Sequence, residues 1–418
     1  MTEVTIKRLG HRGDGIADGP DGTPIFVPRT LPGEVLSGTV SGARLENPRI
    51  VTPSDRRVAA SCQHYKSCGG CSLQHADDAF VADWKVDVVR AALSAQGLDA
   101  PFRPIRTSPA HSRRRAAFSG RRTKKGALVG FHAPASDVIT PVSACQLVTP
   151  ALQAALPLCE AIVMLGGSRK AEMSLVVTDT PAGLDILVTG GKPLDMGLRQ
   201  ALSEAVMGHR LARLTWDEEP VLQETPPVVR FDGIDVALPP GAFLQATCDG
   251  EEALRAAVTE AVSPAGRVLD LFAGCGTFAL PLARAADVCA FEGAQPLTDA
   301  LSGGWRGAAG ALRPVETQTR DLFRNPVIAE DLNGYDAVVI DPPRAGAEAQ
   351  FAELAKSQVP VIAAVSCNPV SFARDAALLT AAGYRLEWVQ VVDQFRWSAH
   401  VELVARLSTA HMAQHQAL

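Results

Sequence analysis

The chain of 418 residues is 47% hydrophobic and 20% charged, a folded-protein composition with length for two or three domains. Its longest uncharged run, residues 138–159, is broken by Pro141, Pro150 and Pro157 and cannot span a membrane. The opening residues carry no basic-then-apolar leader, so no secretory signal is expected, and nine cysteines then point to a reducing, cytoplasmic setting.

Residues 1–58 alternate short β-prone runs (4–6, 23–27 and 35–40) with glycine turns, which predicts a small β-barrel. Residues 61–75 are cysteine-dense and irregular. A helix follows over 77–96, capped by Asp77 or Asp78, with Phe80, Trp84 and Val88 at every fourth position. Residues 101–229 read as a mixed, mostly β region. From 266 onward continuous apolar runs (267–272, 287–292, 335–341 and 359–366) alternate with alanine-rich helical segments, the pattern of a parallel sheet covered on both faces. Two further strands, 384–392 and 400–407, have little room for a helix between them and should pair antiparallel.

The net charge of −5 hides an asymmetry: residues 1–150 hold 20 Lys and Arg against 13 Asp and Glu, and the remainder holds 20 against 32. Between Ala100 and Ser136 there is no acid, but there are Arg103, Arg106, Arg113, Arg114, Arg115, Arg121, Arg122, Lys124 and Lys125. Such a stretch predicts a polyanion-binding surface, against the plainer reading of a solvated strand pair.

Three constellations carry chemistry. Cys62, Cys68 and Cys71, with Gly69-Gly70 letting the chain wrap closely and Cys145 as the next cysteine, make a metal site; the spacing leaves zinc and an iron–sulphur cluster open, and His64 and His75 keep a mixed zinc site in play. Asp270-Leu-Phe-Ala-Gly274-Cys-Gly276 is a strand entering a glycine loop where a nucleotide-like ligand can approach the backbone, and Glu292 ends the next strand within reach of ribose hydroxyls. Asp341-Pro342-Pro343-Arg344 and Ser366-Cys367-Asn368-Pro369 end the two strands after that, which makes Cys367 a candidate nucleophile. Glu402, an acid in an apolar strand, must be paired, solvated or part of a site. Cys159, Cys248, Cys275 and Cys289 have no such setting and read as structural.

Together these residues resemble the RNA (uracil-5-)methyltransferase family along nearly the whole chain, and its iron–sulphur branch acting on 23S ribosomal RNA in particular. The resemblance implies an α/β chain in three parts: a TRAM-type, OB-like RNA-binding β-barrel (1–58, matched at Phe26-Val-Pro and Leu31-Pro-Gly-Glu34), a central iron–sulphur and RNA-binding domain (59–240), and a class I, Rossmann-like methyltransferase domain (241–418) on which helix 77–96 can pack. It implies a [4Fe-4S] cluster on Cys62, Cys68, Cys71 and Cys145, an S-adenosylmethionine site at Gln245, Phe272, Thr277, Glu292, Asp321 and Asp341, Cys367 as nucleophile and Glu402 as proton acceptor. RNA is the implied partner, ribosomal first and transfer RNA as the alternative, with no membrane and no obligate protein partner. A non-catalytic iron–sulphur RNA-binding protein would have no use for Cys367 and Glu402. An amino-group methyltransferase typically has an aromatic residue where this chain has Arg344.

Overall fold

The computed structural model describes residues 2–19 and 21–409, which form three sheets and a small hairpin. The first sheet has six short strands in the order Thr2–Thr5, Val35–Ser41, Arg44–Thr52, Pro24–Val27, Gly15–Asp18 and Arg8–Leu9. It curls around Val4, Ile6, Ala17, Ile25, Val27, Leu36 and Leu45, because alternate residues of each short strand are apolar and must face one side. Buried Glu34 takes Arg57 as its ion-pair partner and the backbone N–H of Leu31 and Ser54 as donors, so its charge is fully compensated.

The middle sheet runs Ile139–Pro141, Ala127–His132, Arg115–Arg122, Met173–Thr180, Gly183–Thr189, Leu211–Trp216 and Glu219–Gln223. Helix Leu156–Gly166 packs on it through Leu158, Ile162 and Val163.

The third sheet orders its strands as Val315–Thr319, Asp287–Glu292, Arg267–Leu271, Ala337–Ile340, Val361–Ser366, Glu402–Thr409, Tyr384–Asp393 and Phe102–Thr107. The first five are parallel, and Glu402–Thr409 is antiparallel to both neighbours. Helix Cys248–Val262 covers one face, and helices Asp78–Ser94, Glu348–Lys356 and Pro369–Ala381 cover the other. The strand order reverses between Arg267–Leu271 and its neighbours, which opens a crevice at the carboxyl edge where open α/β sheets bind ligands.

The sheet does not follow the boundaries read from the sequence. Strand Phe102–Thr107 pairs parallel with Tyr384–Asp393, and the hairpin Val228–Phe231/Ile234–Ala237 buries Val229, Phe231 and Val236 in the same core, so both belong to the third sheet's unit although they precede residue 241. The buried face of helix Asp78–Ser94 is also rotated by one residue from the 80/84/88 stripe, to Val81, Trp84, Lys85, Val89 and Leu93.

Lys85 is therefore fully buried. Its Nζ donates to Asp393 Oδ1 at 2.5 Å and to the carbonyl oxygens of Phe395 (3.0 Å) and His400 (2.9 Å). All three ammonium protons are used. Removing one partner of such a pair leaves an uncompensated buried charge, which costs about 3–5 kcal/mol. Lys85→Met should lower the urea-derived unfolding free energy by that order, and Lys85→Met with Asp393→Asn should cost less than the two single changes summed.

Candidate active site

Two lips form the crevice. Asp341 follows strand Ala337–Ile340, and its backbone N–H donates to Leu271 O at 3.2 Å, which holds it beside the glycine loop. Cys367 follows strand Val361–Ser366, and Asn368 then caps helix Pro369–Ala381 by accepting from the Val370 N–H at 3.1 Å. The amide of Asn368 donates to Arg344 O at 2.9 Å and Ser371 Oγ donates to the same oxygen at 3.3 Å, so the Asp-Pro-Pro-Arg turn and the Cys-Asn-Pro turn are tied together.

Glu402 arrives from the other direction. Because its strand is antiparallel, with Ser366 opposite Leu403, the start of that strand lies next to the end of the cysteine strand. Cys367, Glu402 and Asp341 consequently influence one another electrostatically. Burial and the neighbouring Glu402 and Asp341 push the Cys367 thiol up to about 11, with Arg344 opposing. Burial and Asp341 raise the Glu402 carboxyl to about 8, and burial raises Asp341 to about 7. Glu402 is 4% exposed, and Cys367 is half-buried.

The crevice is rich in acid. Asp270 is fully buried and raised well above the ordinary carboxyl range, by burial first and then by Asp341 and Glu292. Neither of its carboxyl oxygens has a hydrogen-bond partner among the described residues. Glu292 accepts from the Gly274 N–H and the Ala294 N–H, both at 3.0 Å. An orphaned buried carboxyl beside two others fits a cationic, hydrogen-bonding ligand. Phe272 holds a left-handed backbone (φ 63°), unusual for a bulky residue, and its ring sits 5.4 Å from that of exposed Phe323. Asp321 is exposed and accepts from the Phe323 N–H at 3.0 Å, so it shapes the turn carrying that ring. Thr277 is half-buried on the glycine loop, and Gln245 is 3% exposed.

A cleft of about 750 Å3 opens onto Cys367. Its walls come from the barrel (Lys7, Arg8, His11), the helix Asp78–Ser94 (Trp84, Val88) and the lip residues Arg344 and Val370. The sequence offered no sign that the barrel's first loop would line a cleft with Cys367.

The four cysteines converge around a second, small cavity, with Tyr65, Gln74, Phe131 and Val142 also lining it. Gly69 is required there, since a Cβ would lie 2.8 Å from His132 O. The Gly70 N–H points at Cys68 Sγ (3.3 Å) and the Leu147 N–H at Cys145 Sγ (3.5 Å). Burial raises the Cys71 thiol to about 12 and raises Cys68, with the neighbouring cysteines adding to both shifts. Among the described residues, no three His, Cys, Asp or Glu side chains form the ligand shell of a single metal ion. His75 is turned away, bonded through Nδ1 to Tyr65 at 2.6 Å.

The basic stretch reads differently in three dimensions. Arg114 is buried, pairs with Glu251, and donates to Gln245 O (3.3 Å) and Cys248 Sγ (3.2 Å). Arg113 donates to Arg115 O at 3.1 Å and lies over Phe395. Arg103 pairs with Glu260 and covers the Trp388 ring at 3.6 Å. Arg113 and Arg114 brace the middle sheet against the third sheet's unit, and Arg103 ties that sheet's edge strand 102–107 to the helix Cys248–Val262. Arg106, Lys124 and Lys125 remain exposed, with Arg121 and Arg122 half-exposed.

Sequence reasoning missed Lys85, Phe323 and Gln394. Only the last had a signal: Asp393-Gln394-Phe395 stands just before His400-Val401-Glu402. Among the described residues, no helix is long and apolar enough to cross a membrane.

The whole chain is similar to known RNA methyltransferases. The family model described as tRNA (uracil-5-)-methyltransferase matches residues 306–409. An RNA methyltransferase of Rhizobium meliloti is 44% identical over 411 residues, covering 97% of this chain and 98% of its own. The 23S rRNA (uracil(1939)-C(5))-methyltransferase RlmD of Halomonas elongata is 32% identical over 441 residues, covering 99% and 91%. The crystal structure of the Pyrococcus abyssi tRNA (uracil-54, C5)-methyltransferase in complex with S-adenosyl-L-homocysteine superposes with a TM-score of 0.77 at 22% identity, covering 97% and 99%.

Proposed function

The chain belongs to the RNA (uracil-5-)methyltransferase family, and from that premise we propose that it methylates C5 of a uridine in 23S ribosomal RNA through a covalent adduct between Cys367 and uracil C6. The observation that carries the mechanism is that Cys367, which lines a cleft of about 750 Å3, has the buried Glu402 beside it at the start of the antiparallel neighbouring strand. The relative covering nearly the whole chain that acts on 23S RNA favours ribosomal over transfer RNA.

C5 of uracil is a poor nucleophile. Addition of the Cys367 thiolate to C6 converts the ring into an enolate whose C5 carries electron density. With S-adenosylhomocysteine as leaving group, S-adenosylmethionine bound in the acid-lined crevice would supply the methyl group that C5 takes. Phe272, Thr277, Glu292, Asp321, Asp341 and Gln245 would hold the cofactor. Glu402 then removes the C5 proton, and the C6–S bond breaks to restore the aromatic ring and the thiolate. A carboxyl raised to about 8 is a stronger base than a free carboxylate, and the ionised form that takes the C5 proton gains population as pH rises toward that value. Arg344, the cation that opposes the rise in the Cys367 thiol, favours the attacking thiolate. Extruding the uridine costs least in single-stranded or loop RNA. Arg8 on the barrel, Arg106, Lys124 and Lys125 are exposed cations able to meet phosphates.

The four cysteines fit a [4Fe-4S] cluster. Their thiols surround a cavity, whereas zinc would draw four sulphurs to about 2.3 Å from one point. Burying thiolates together is unfavourable without a compensating cationic core. Such a cluster would cross-link the loop 62–71 to the middle sheet through Cys145.

RNA from cells lacking the protein should lose 5-methyluridine at one position of 23S ribosomal RNA and regain it on treatment with the purified chain. Loss confined to transfer RNA would reassign the substrate. Protein purified without oxygen should be brown with about four irons per chain; stoichiometric zinc without iron would refute the cluster.

A further inference from the structure

The stripe Phe80, Trp84 and Val88 is left over from the packing of its helix. The buried face runs through Val81, Lys85, Val89 and Leu93, and it takes only Trp84 from the stripe. All three stripe residues instead line the cleft that holds Cys367, beside Leu9 of the barrel. Phe80 and Val88 are half-buried, and Val370, three positions after Cys367, is 65% exposed on the same cleft. An apolar wall left facing water marks a binding surface. The cleft, at about 750 Å3, lies in the upper half of the roughly 300–1,000 Å3 range of sites that enclose a drug-sized ligand. A single uracil ring at Cys367 is far smaller, so the cleft takes more of the RNA than the target base.

The charges on the cleft divide by element. Its cations, exposed Arg8 and Arg344 among them, come from the barrel, the lip and the loop before Glu402. Both its acids, Asp83 and Asp87, come from the helix. Phosphates are therefore drawn to the barrel and the lip and kept off the helix. Asp87 is paired with Arg90, whereas exposed Asp83 has no ion-pair partner among the described residues. A carboxylate only accepts hydrogen bonds, and beside an apolar wall it suits the amino group of a base.

We propose that this wall is a subsite for the base next to the target uridine, with Phe80, Trp84, Val88 and Val370 against the ring and Asp83 accepting from its exocyclic amino group. The assignment rests on the reading of Cys367 as the nucleophile toward a uridine in RNA. Its occupant follows from continuity: the same cleft holds the nucleophile, so the nucleotide joined to the target uridine is the one within reach. Contact with the faces of a base tolerates any ring, so the apolar wall supplies affinity and Asp83 the choice. Adenine, cytosine and guanine carry an exocyclic amino group. Uracil does not, and its one ring N–H lies between two carbonyl oxygens that a carboxylate repels. A neighbour held in this way also keeps the target uridine out of its stack.

The test uses the full-length protein and a synthetic RNA spanning the uridine that it methylates, with an abasic residue immediately 5′ or immediately 3′ of that uridine. One of the two should raise KM by about tenfold, the order of one lost base contact. Restoring that base as uracil should recover only part of the loss. Val370→Asp should raise KM on intact RNA to a similar extent and add little on the abasic RNA, because both changes remove the same contact. Asp83→Asn should bring together the KM values for uracil and for an amino-bearing base at that position. Both side chains are exposed, and S-adenosylmethionine binding reports that each variant is folded. Equal KM on intact and both abasic RNAs, or independent effects of Val370→Asp and the abasic residue, would overturn the subsite. Unchanged discrimination in Asp83→Asn would overturn the role of Asp83. If the protein methylates no uridine, the reading of its activity fails first, and the subsite with it.

Discussion

The buried ion pair between Lys85 and Asp393 fixes the segment on which the site depends. Asp393 ends one strand and Glu402 begins the next, and the eight residues between them form the loop that delivers the carboxylate. Lys85 holds this loop at Asp393, Phe395 and His400. A second anchor comes from the cysteine segment: the N–H groups of Ser72 and Leu73 both donate to Trp397 O, at 2.8 and 2.9 Å. Trp397 itself adopts a left-handed backbone (φ 59°) and donates through its indole to Asp78. A strained residue of this kind persists when its surroundings over-determine it. The helix, the cysteine segment and the third sheet thus converge on one loop.

The antiparallel strand adds the second constraint. In an all-parallel sheet the strand ends at the carboxyl edge are all C-terminal ends. Reversing one strand lets the first residue of Glu402–Thr409 sit beside the residue that follows Val361–Ser366. Two groups 35 positions apart in sequence are thereby neighbours without a long loop between them. The cost is an acid-rich crevice in which Asp270, Asp341 and Glu402 all hold their protons more tightly than free carboxyls do. Burial is the first cause in each case, so a site stripped of water raises the basicity that proton abstraction needs.

Much of this was legible in the sequence where backbone and side-chain patterns agree. The continuous apolar runs at 267–272, 287–292 and 359–366 became buried strands, and the last pair is antiparallel because too few residues separate it for a crossover. The convergence of Cys62, Cys68 and Cys71 followed from their short spacing. What stayed hidden depends on distant partners. Lys85 carried no signal in the sequence, because its partner Asp393 lies 308 positions away. Arg114 looked like part of a polyanion-binding face, yet Glu251 neutralises it in the interior. Strand 102–107 was assigned to the middle region because its two arginines and Pro104 disguise an edge strand of another sheet. Gln394 carried a local signal, but the backbone N–H groups of Ala246 and Thr247 that hold its side chain are remote in sequence.

The central claim is that Cys367 and Glu402 act in sequence on one uracil. Glu402→Gln should let the thiolate add and the methyl group arrive at C5, but leave the proton in place, so elimination stalls. Incubated with unmethylated RNA and S-adenosylmethionine, this variant should give a protein–RNA adduct that survives denaturing electrophoresis, carries the methyl group and maps to Cys367. Adding Cys367→Ala should abolish it. Normal turnover by Glu402→Gln, or methylation of RNA by Cys367→Ala alone, would contradict the account.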